Sequence, residues 1–146
     1  RMILVSACLA GEKCRYNGEA LRCEAVAELV ASGRAIAVCP EVLGGLPVPR
    51  PPAEIVAGRV LTRGGADVTE QFHSGALIGL ELARQAGCGS AVLKARSPSC
   101  GAGQIYDGRF SGRLIAGDGV FAAMLKAAGI RVITEEQSGD IEGTRW

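Results

Sequence analysis

Six cysteines, Cys8, Cys14, Cys23, Cys39, Cys88 and Cys100, are the residues of this 146-residue chain with the widest chemical range. Thiolate is the ligand that soft metal ions and iron-sulfur clusters prefer; it is also a nucleophile, and in pairs it carries disulfide chemistry. No two of these cysteines form the close C-x-x-C pair of a zinc ribbon or a redox dithiol, and the single histidine, His73, is near none of them. A thiol redox enzyme is therefore disfavoured. Polar residues stand beside two of the thiols. Glu41 follows Cys39 across Pro40, while Ser97 and Ser99 precede Cys100. A carboxylate and hydroxyls next to candidate ligands make a set able to hold a metal centre and to move protons beside it. Each residue also has an ordinary use. The cysteines are equally buried structural thiols, and Glu41 is equally a surface charge or a partner for Arg50. Ser97 and Ser99 suit a turn around Pro98 in which they bond their own backbone, and His73 suits a helix surface.

The elements that would position these residues can be read from hydrophobic periodicity. Four short apolar runs, residues 3–7, 35–38, 91–93 and 130–133, read as buried strands. Between them, residues 22–32, 70–86 and 119–128 carry apolar side chains at helical spacing, and Gly33, Gly87 and Gly129 follow as stop signals. The alternation predicts a single α/β domain over residues 2–136, with a mostly parallel sheet flanked by helices, and a loose polar tail over 137–146. In such a sheet ligands bind beyond the carboxyl ends of the strands. Cys8, Cys39 and Cys100 follow the first, second and third strands, with Cys14 and Cys23 on the same side. Cys88 precedes the third strand and belongs at the opposite end.

One long connection interrupts the alternation. Residues 40–52 hold five of the 6 prolines, with Gly44 and Gly45 among them, and are expected to form a stiff, extended loop. A small hairpin should follow, with residues 54–56 and 59–61 flanking Ala57-Gly58. The glycines of Gly101-Ala102-Gly103 precede an apparent strand at Ile105-Tyr106 rather than a helix. Gly117-Asp118-Gly119 reads as a capping turn with Asp118 as the cap. Neither supports a dinucleotide site.

Composition narrows the partners. Lys+Arg 16 against Asp+Glu 15 leaves a net charge of +1, so there is no general field to hold nucleic acid or an anionic membrane. Lys94, Arg96, Arg15 and Arg50 could still give a cleft local positive potential. No apolar stretch approaches the about 20 residues that cross a bilayer. With no visible export signal and a length that needs no disulfide staple, the thiols are expected to be reduced, in a cytoplasmic protein.

Three motifs taken together are specific: residues 6–18, SACLAGEKCRYNG; residues 39–50, CPEVLGGLPVPR; and residues 94–101, KARSPSCG. With Ile105 to Gly108 and Gly117 to Val120, they make the chain from about Met2 to Glu135 resemble the thiouracil desulfurase family. Ala10 and Asn17 stand where that family more often has a leucine and an aspartate. The resemblance implies a 4Fe-4S cluster held by Cys8, Cys39 and Cys100, with one iron open to the sulfur of a thiolated pyrimidine. It implies Glu41 as acid/base, Ser97 or Ser99 assisting, and Cys14 as a rival ligand or auxiliary thiol. The implied reaction is non-redox hydrolysis of a thiocarbonyl, 2-thiouracil giving uracil and sulfide. The implied partner is a small thiolated nucleobase, without a stable complex with nucleic acid or membrane. The alternative is a module that carries a cluster or another metal for sulfur metabolism without catalysis of its own. Such a carrier would not require Glu41, Ser97 and Ser99.

Overall fold

Successive side chains of a strand point to opposite faces, and in the first strand this alternation sets the layering. Ile3 and Val5 pack with Val26 and Leu29 of the first helix, whereas Leu4 packs with Ala76, Leu80, Phe121 and Leu125 of two later helices. The third sheet strand repeats the pattern, Val92 on the first side, Ala91 and Leu93 on the second. A strand apolar on both faces needs helices on both faces, and the result is a three-layer α/β/α domain.

The computed structural model describes residues 2–137. In chain order the elements are β1 (Ile3–Ser6), α1 (Glu24–Ala31), β2 (Ala35–Val38), α2 (Pro40–Leu43), β3 (Ala53–Val56), β4 (Arg59–Thr62), α3 (Thr69–Ala86), β5 (Ser90–Leu93), β6 (Gln104–Tyr106), β7 (Leu114–Ala116), α4 (Val120–Ala127) and β8 (Arg131–Thr134). Turns of 3-10 helix follow β1 at Ala7–Ala10 and β8 at Glu135–Gln137. The central sheet has the order β2-β1-β5-β8 and every neighbouring pair is parallel. Two antiparallel hairpins, β3-β4 and β6-β7, stand apart from it. The expected α/β class, its parallel sheet and the first hairpin are all present, and Ala57 (φ 48) and Gly58 (φ 79) make the left-handed two-residue turn anticipated between β3 and β4.

Two local expectations need correction, and one strand gains a partner. Residues 40–43 are not extended but form the single helical turn α2. Pro40 sits at its first position, where a missing N–H and a fixed φ are no handicap. Asp118 does not cap α4; Gly119 occupies the cap position, and Asp118 Oδ1 instead accepts the Gly103 N–H (2.9 Å) and pairs with Lys126 Nζ (2.9 Å), tying two loops together. The strand at Ile105-Tyr106 gains a partner, β7, whose three half-buried or exposed residues carry no burial signal of their own. Gln137, at the start of the expected tail, ends the last 3-10 turn and its Oε1 accepts the Thr134 N–H (3.1 Å); the remainder of that tail, 138–146, lies outside the described residues. No helix among the described residues is long and apolar enough to cross a membrane.

Close helix packing fixes α2, the turn that carries Glu41. A Cβ added to Gly75 of α3 would fall on the Pro40 carbonyl, and one added to Gly44 would fall on the Gln71 carbonyl. Only glycine lets the two backbones meet at this distance. Gly75→Ala is expected to destabilise the fold by about 1–3 kcal/mol, the range for forced overpacking. Urea denaturation should show this as a lowered midpoint, whereas Ser74→Ala on the exposed side of the same helix should stay within about 0.5 kcal/mol of the parent.

Candidate functional site

From β1 the chain crosses to β2 on one side and later reaches β5 on the other. The loops leaving the carboxyl ends of β1 and β5 therefore diverge, and a crevice opens at this switch point. A cavity of about 800 Å³ occupies it. Cys8, Cys14, Cys39 and Cys100 all line this cavity, and all six cysteines are free thiols. Cys23 stands instead at the cap position of α1, and Cys88 is buried in the core at the far end of the sheet, as expected.

Local structure explains how each thiol arrives. Cys8 lies in the 3-10 turn directly after β1, closed by Gly11 in a left-handed conformation (φ 105). Cys39 is the cap residue of α2, and its Sγ–H points to the Cys14 carbonyl (3.8 Å). Cys100 is presented by a tight turn after β5: Ser97 Oγ accepts the N–H groups of Ser99 and Cys100 (both 3.1 Å), and the Ser97 carbonyl accepts the Gly101 N–H (2.8 Å). Ser97 thus makes the backbone bonds of an ordinary turn residue and also lines the cavity. Ser99 is fully buried and is not part of the lining.

Glu41 lines the cavity and is paired with Arg50, Nε to Oε1 at 3.1 Å, the ordinary use its sequence context allows. The Arg50 side chain is only 4% exposed, and its other nitrogens donate to the carbonyls of Pro47 (3.1 Å) and Cys14 (2.9 Å). One guanidinium therefore fixes Glu41, the proline-rich loop and the Cys14 segment against one another. Burial pushes the Glu41 carboxyl above the usual range, and the Arg50 charge and hydrogen bond oppose that. Lys94 Nζ pairs with Glu135 (2.9 Å) and Arg96 with Glu136 (2.7 Å). Of the four cations that could have given the cleft a positive potential, three are paired with carboxylates, and Arg15 lies against the Tyr16 ring. Ser6, Glu135 and Glu136 were not singled out by sequence reasoning, although all three stand at carboxyl ends of sheet strands. Ser6 Oγ accepts the Lys94 N–H (2.9 Å), and Glu135 also accepts the Ala95 N–H (2.7 Å), so these residues fasten the loop that leads to Cys100.

Three of the cavity thiols, Cys14, Cys39 and Cys100, are pushed above the ordinary thiol range. Burial pushes Cys100 up to about 12, against the Ser6 and Ser99 hydroxyls, which favour its thiolate. At Cys14 a hydrogen bond with Cys39 favours the thiolate, but a hydrogen bond with Cys8 and burial outweigh it and raise the group to about 11. Cys39 is raised by its hydrogen bond with Cys14 and by burial. Ligation to metal requires thiolates and so must displace these protons. The donor set fits such a group. Ser99 Oγ is buried without a well-formed hydrogen bond, a condition that costs about 1–3 kcal/mol. It lies beside Cys100, where a charged sulfur would satisfy it. Among the described residues no three His, Cys, Asp or Glu side chains converge on a point where one ion would sit. Four thiols around a single cavity are the soft donors that an iron-sulfur group takes.

Comparison with known proteins agrees with this donor chemistry. The Bacillus subtilis (strain 168) protein YbbK, described as uncharacterized, is 47% identical over 150 residues, an alignment covering 96% of this chain and 99% of that protein. Among solved structures, the 4Fe-4S-dependent thiouracil desulfidase TudS is 46% identical, with a TM-score of 0.92 over 97% of this chain and 95% of that one. The family described as 2-thiouracil desulfurase matches residues 3–137, a span that includes all three motifs and every thiol of the cavity. The chain belongs to the 2-thiouracil desulfurase family.

Proposed function

We propose that this protein is an iron-sulfur-dependent desulfidase that hydrolyses a thiolated pyrimidine such as 2-thiouracil to uracil and sulfide. The reading is carried by the convergence of four free thiols on one roomy cavity in a member of this family. It is supported by a 46% identical structure named as a 4Fe-4S-dependent thiouracil desulfidase. The reaction balances without electrons: C=S plus water gives C=O plus hydrogen sulfide.

Cys8, Cys39 and Cys100 would hold the cluster, leaving Cys14 as a spare thiol beside two of the ligands. When bound there, a cluster with one iron free of protein ligands supplies a Lewis acid for the thiocarbonyl sulfur. The chain's own residues then do the rest. Glu41 Oε1 is committed to Arg50, so Oε2 is the atom that takes a proton from the attacking water and returns one to the departing sulfur. Ser97 Oγ already accepts two N–H bonds, which fills its acceptor sites and leaves its O–H proton to donate into the cavity toward a ring heteroatom. Of the two serines, Ser97 therefore suits substrate and Ser99 suits the ligand sulfur. The proline-rich loop and the Arg50 contacts form a wall set in place before substrate arrives, so little ordering cost falls on binding.

A carrier module has no need of a carboxylate and a hydroxyl directed at spare cavity volume, and the enzyme reading accounts for both. Anaerobic reconstitution should yield one cluster per chain by iron and acid-labile sulfide analysis, and the holoprotein should convert 2-thiouracil to uracil. A protein that loads the cluster yet fails to turn over any thiolated pyrimidine would leave the carrier reading in its place.

A further inference from the structure

The thiols take up only part of the cavity wall; the two hairpins contribute another part, and one residue there is held against its own backbone preference. Phe110, in the loop joining β6 to β7, has φ 54, a left-handed conformation that an L-residue with a large side chain rarely adopts. Its backbone is held there by Glu54 of β3. That side chain is buried, in a residue 9% exposed, and its Oε1 accepts the N–H groups of both Gly108 (3.0 Å) and Phe110 (3.2 Å). The same loop is seated tightly on β3, since a Cβ on Gly108 would lie 2.6 Å from the Ile55 carbonyl oxygen. Arg63, from the end of β4, sits over the Phe110 ring with its guanidinium carbon 5.4 Å from the centroid. Glu54, Arg63 and Phe110 all line the cavity.

A strained residue, a buried carboxylate spent on its backbone and a cation fixing its ring are a costly way to place one half-buried phenyl group on a cavity wall. The cost is intelligible if the ring does work there. We infer that Phe110 is the surface on which the planar heterocycle of the substrate packs, and that Glu54 is the positioning residue that holds it in place. The inference rests on the desulfidase reading of the cavity and adds to it a specificity-determining residue for flat, aromatic thiocarbonyl compounds.

The test uses the reconstituted holoenzyme. Stacking of a base on an aromatic side chain is worth about 1–3 kcal/mol, so Phe110→Ala should raise KM for 2-thiouracil roughly 5- to 150-fold. The turnover number should change little, because a stacking surface holds ground state and transition state alike. Phe110→Tyr should retain a KM close to the parent value, and Phe110→Leu, which keeps apolar bulk without a ring face, should not. Glu54→Ala should reproduce the KM increase, Glu54→Gln should largely spare it, and Glu54→Ala combined with Phe110→Ala should be no worse than Phe110→Ala alone. Iron content per chain, unchanged across the series, separates these effects from loss of fold. An unchanged KM in Phe110→Ala, or a parental KM in Phe110→Leu, overturns the stacking role. Fully additive Glu54 and Phe110 effects overturn the positioning role. A wild-type holoenzyme inactive on 2-thiouracil defeats the functional reading itself, before any variant is compared.

Discussion

Replacing Cys100 by alanine is expected to abolish stable cluster binding in protein reconstituted without oxygen, and all turnover with it. Cys100 is the cleanest of the three proposed ligands to remove. It stands alone at the end of the β5 loop, whereas the thiols hydrogen-bonded with the spare Cys14 are those of Cys8 and Cys39. The spare thiol is thus engaged elsewhere, and the two hydroxyls beside Cys100, Ser6 and Ser99, offer hydrogen bonds but no soft ligand. Cys88→Ala is the matched control: the residue is buried like Cys100, yet it belongs to the core at the opposite end of the sheet and should retain full iron content. Iron and acid-labile sulfide per chain, with the sulfur-to-iron charge-transfer absorbance, measure the outcome. Full cluster content in Cys100→Ala would mean that the ligand set must be redrawn around Cys14.

The cavity was legible in the sequence because it depends on order along the chain. Once residues 3–7, 35–38 and 91–93 are read as parallel strands, the rule that ligands bind at carboxyl ends brings Cys8, Cys39 and Cys100 together with no knowledge of packing. Strand and helix boundaries fell within two residues of those expected for the same reason, since buried strands and amphipathic helices announce themselves by period. What sequence left unread is chemistry that depends on a single tertiary contact. Arg50 stood out only as an optional partner for Glu41, and nothing in its neighbourhood says that its guanidinium reaches the Cys14 carbonyl across 36 positions. Glu54 and Phe110 meet across 56 positions, and the carboxylate looks like any strand-edge charge until the β6-β7 loop is laid on it. Pro40 misled because proline is read first as a breaker; its second use, opening a helix, depends on a continuation that Glu41, Val42 and Leu43 supply. Asp118 likewise satisfied a local cap pattern, but Gly103 and Lys126 offered its carboxylate better partners from elsewhere in the fold.

Glu41→Gln is expected to lower turnover of 2-thiouracil by about 10²–10⁴-fold, the usual worth of a positioned general acid/base, with cluster absorbance and iron content unchanged. The substitution removes the titrating oxygen and little else. A glutamine keeps the length of the side chain and a carbonyl oxygen to accept the Arg50 Nε–H, so the guanidinium should go on holding the proline-rich loop and the Cys14 segment. It does leave the Arg50 charge without a counter-ion in a site where that side chain is 4% exposed, and some loss of stability is therefore expected. Iron content separates that cost from a chemical one, since a variant impaired only through its architecture should lose cluster in step with activity. KM should move little, because proton transfer is demanded in the transition state and not on binding. Loss of the cluster in Glu41→Gln would make Glu41 a support for the ligand turn, acting through Arg50 and α2. Full activity would send the proton by another route, and Ser97, which lines the same cavity, would be the next residue to replace.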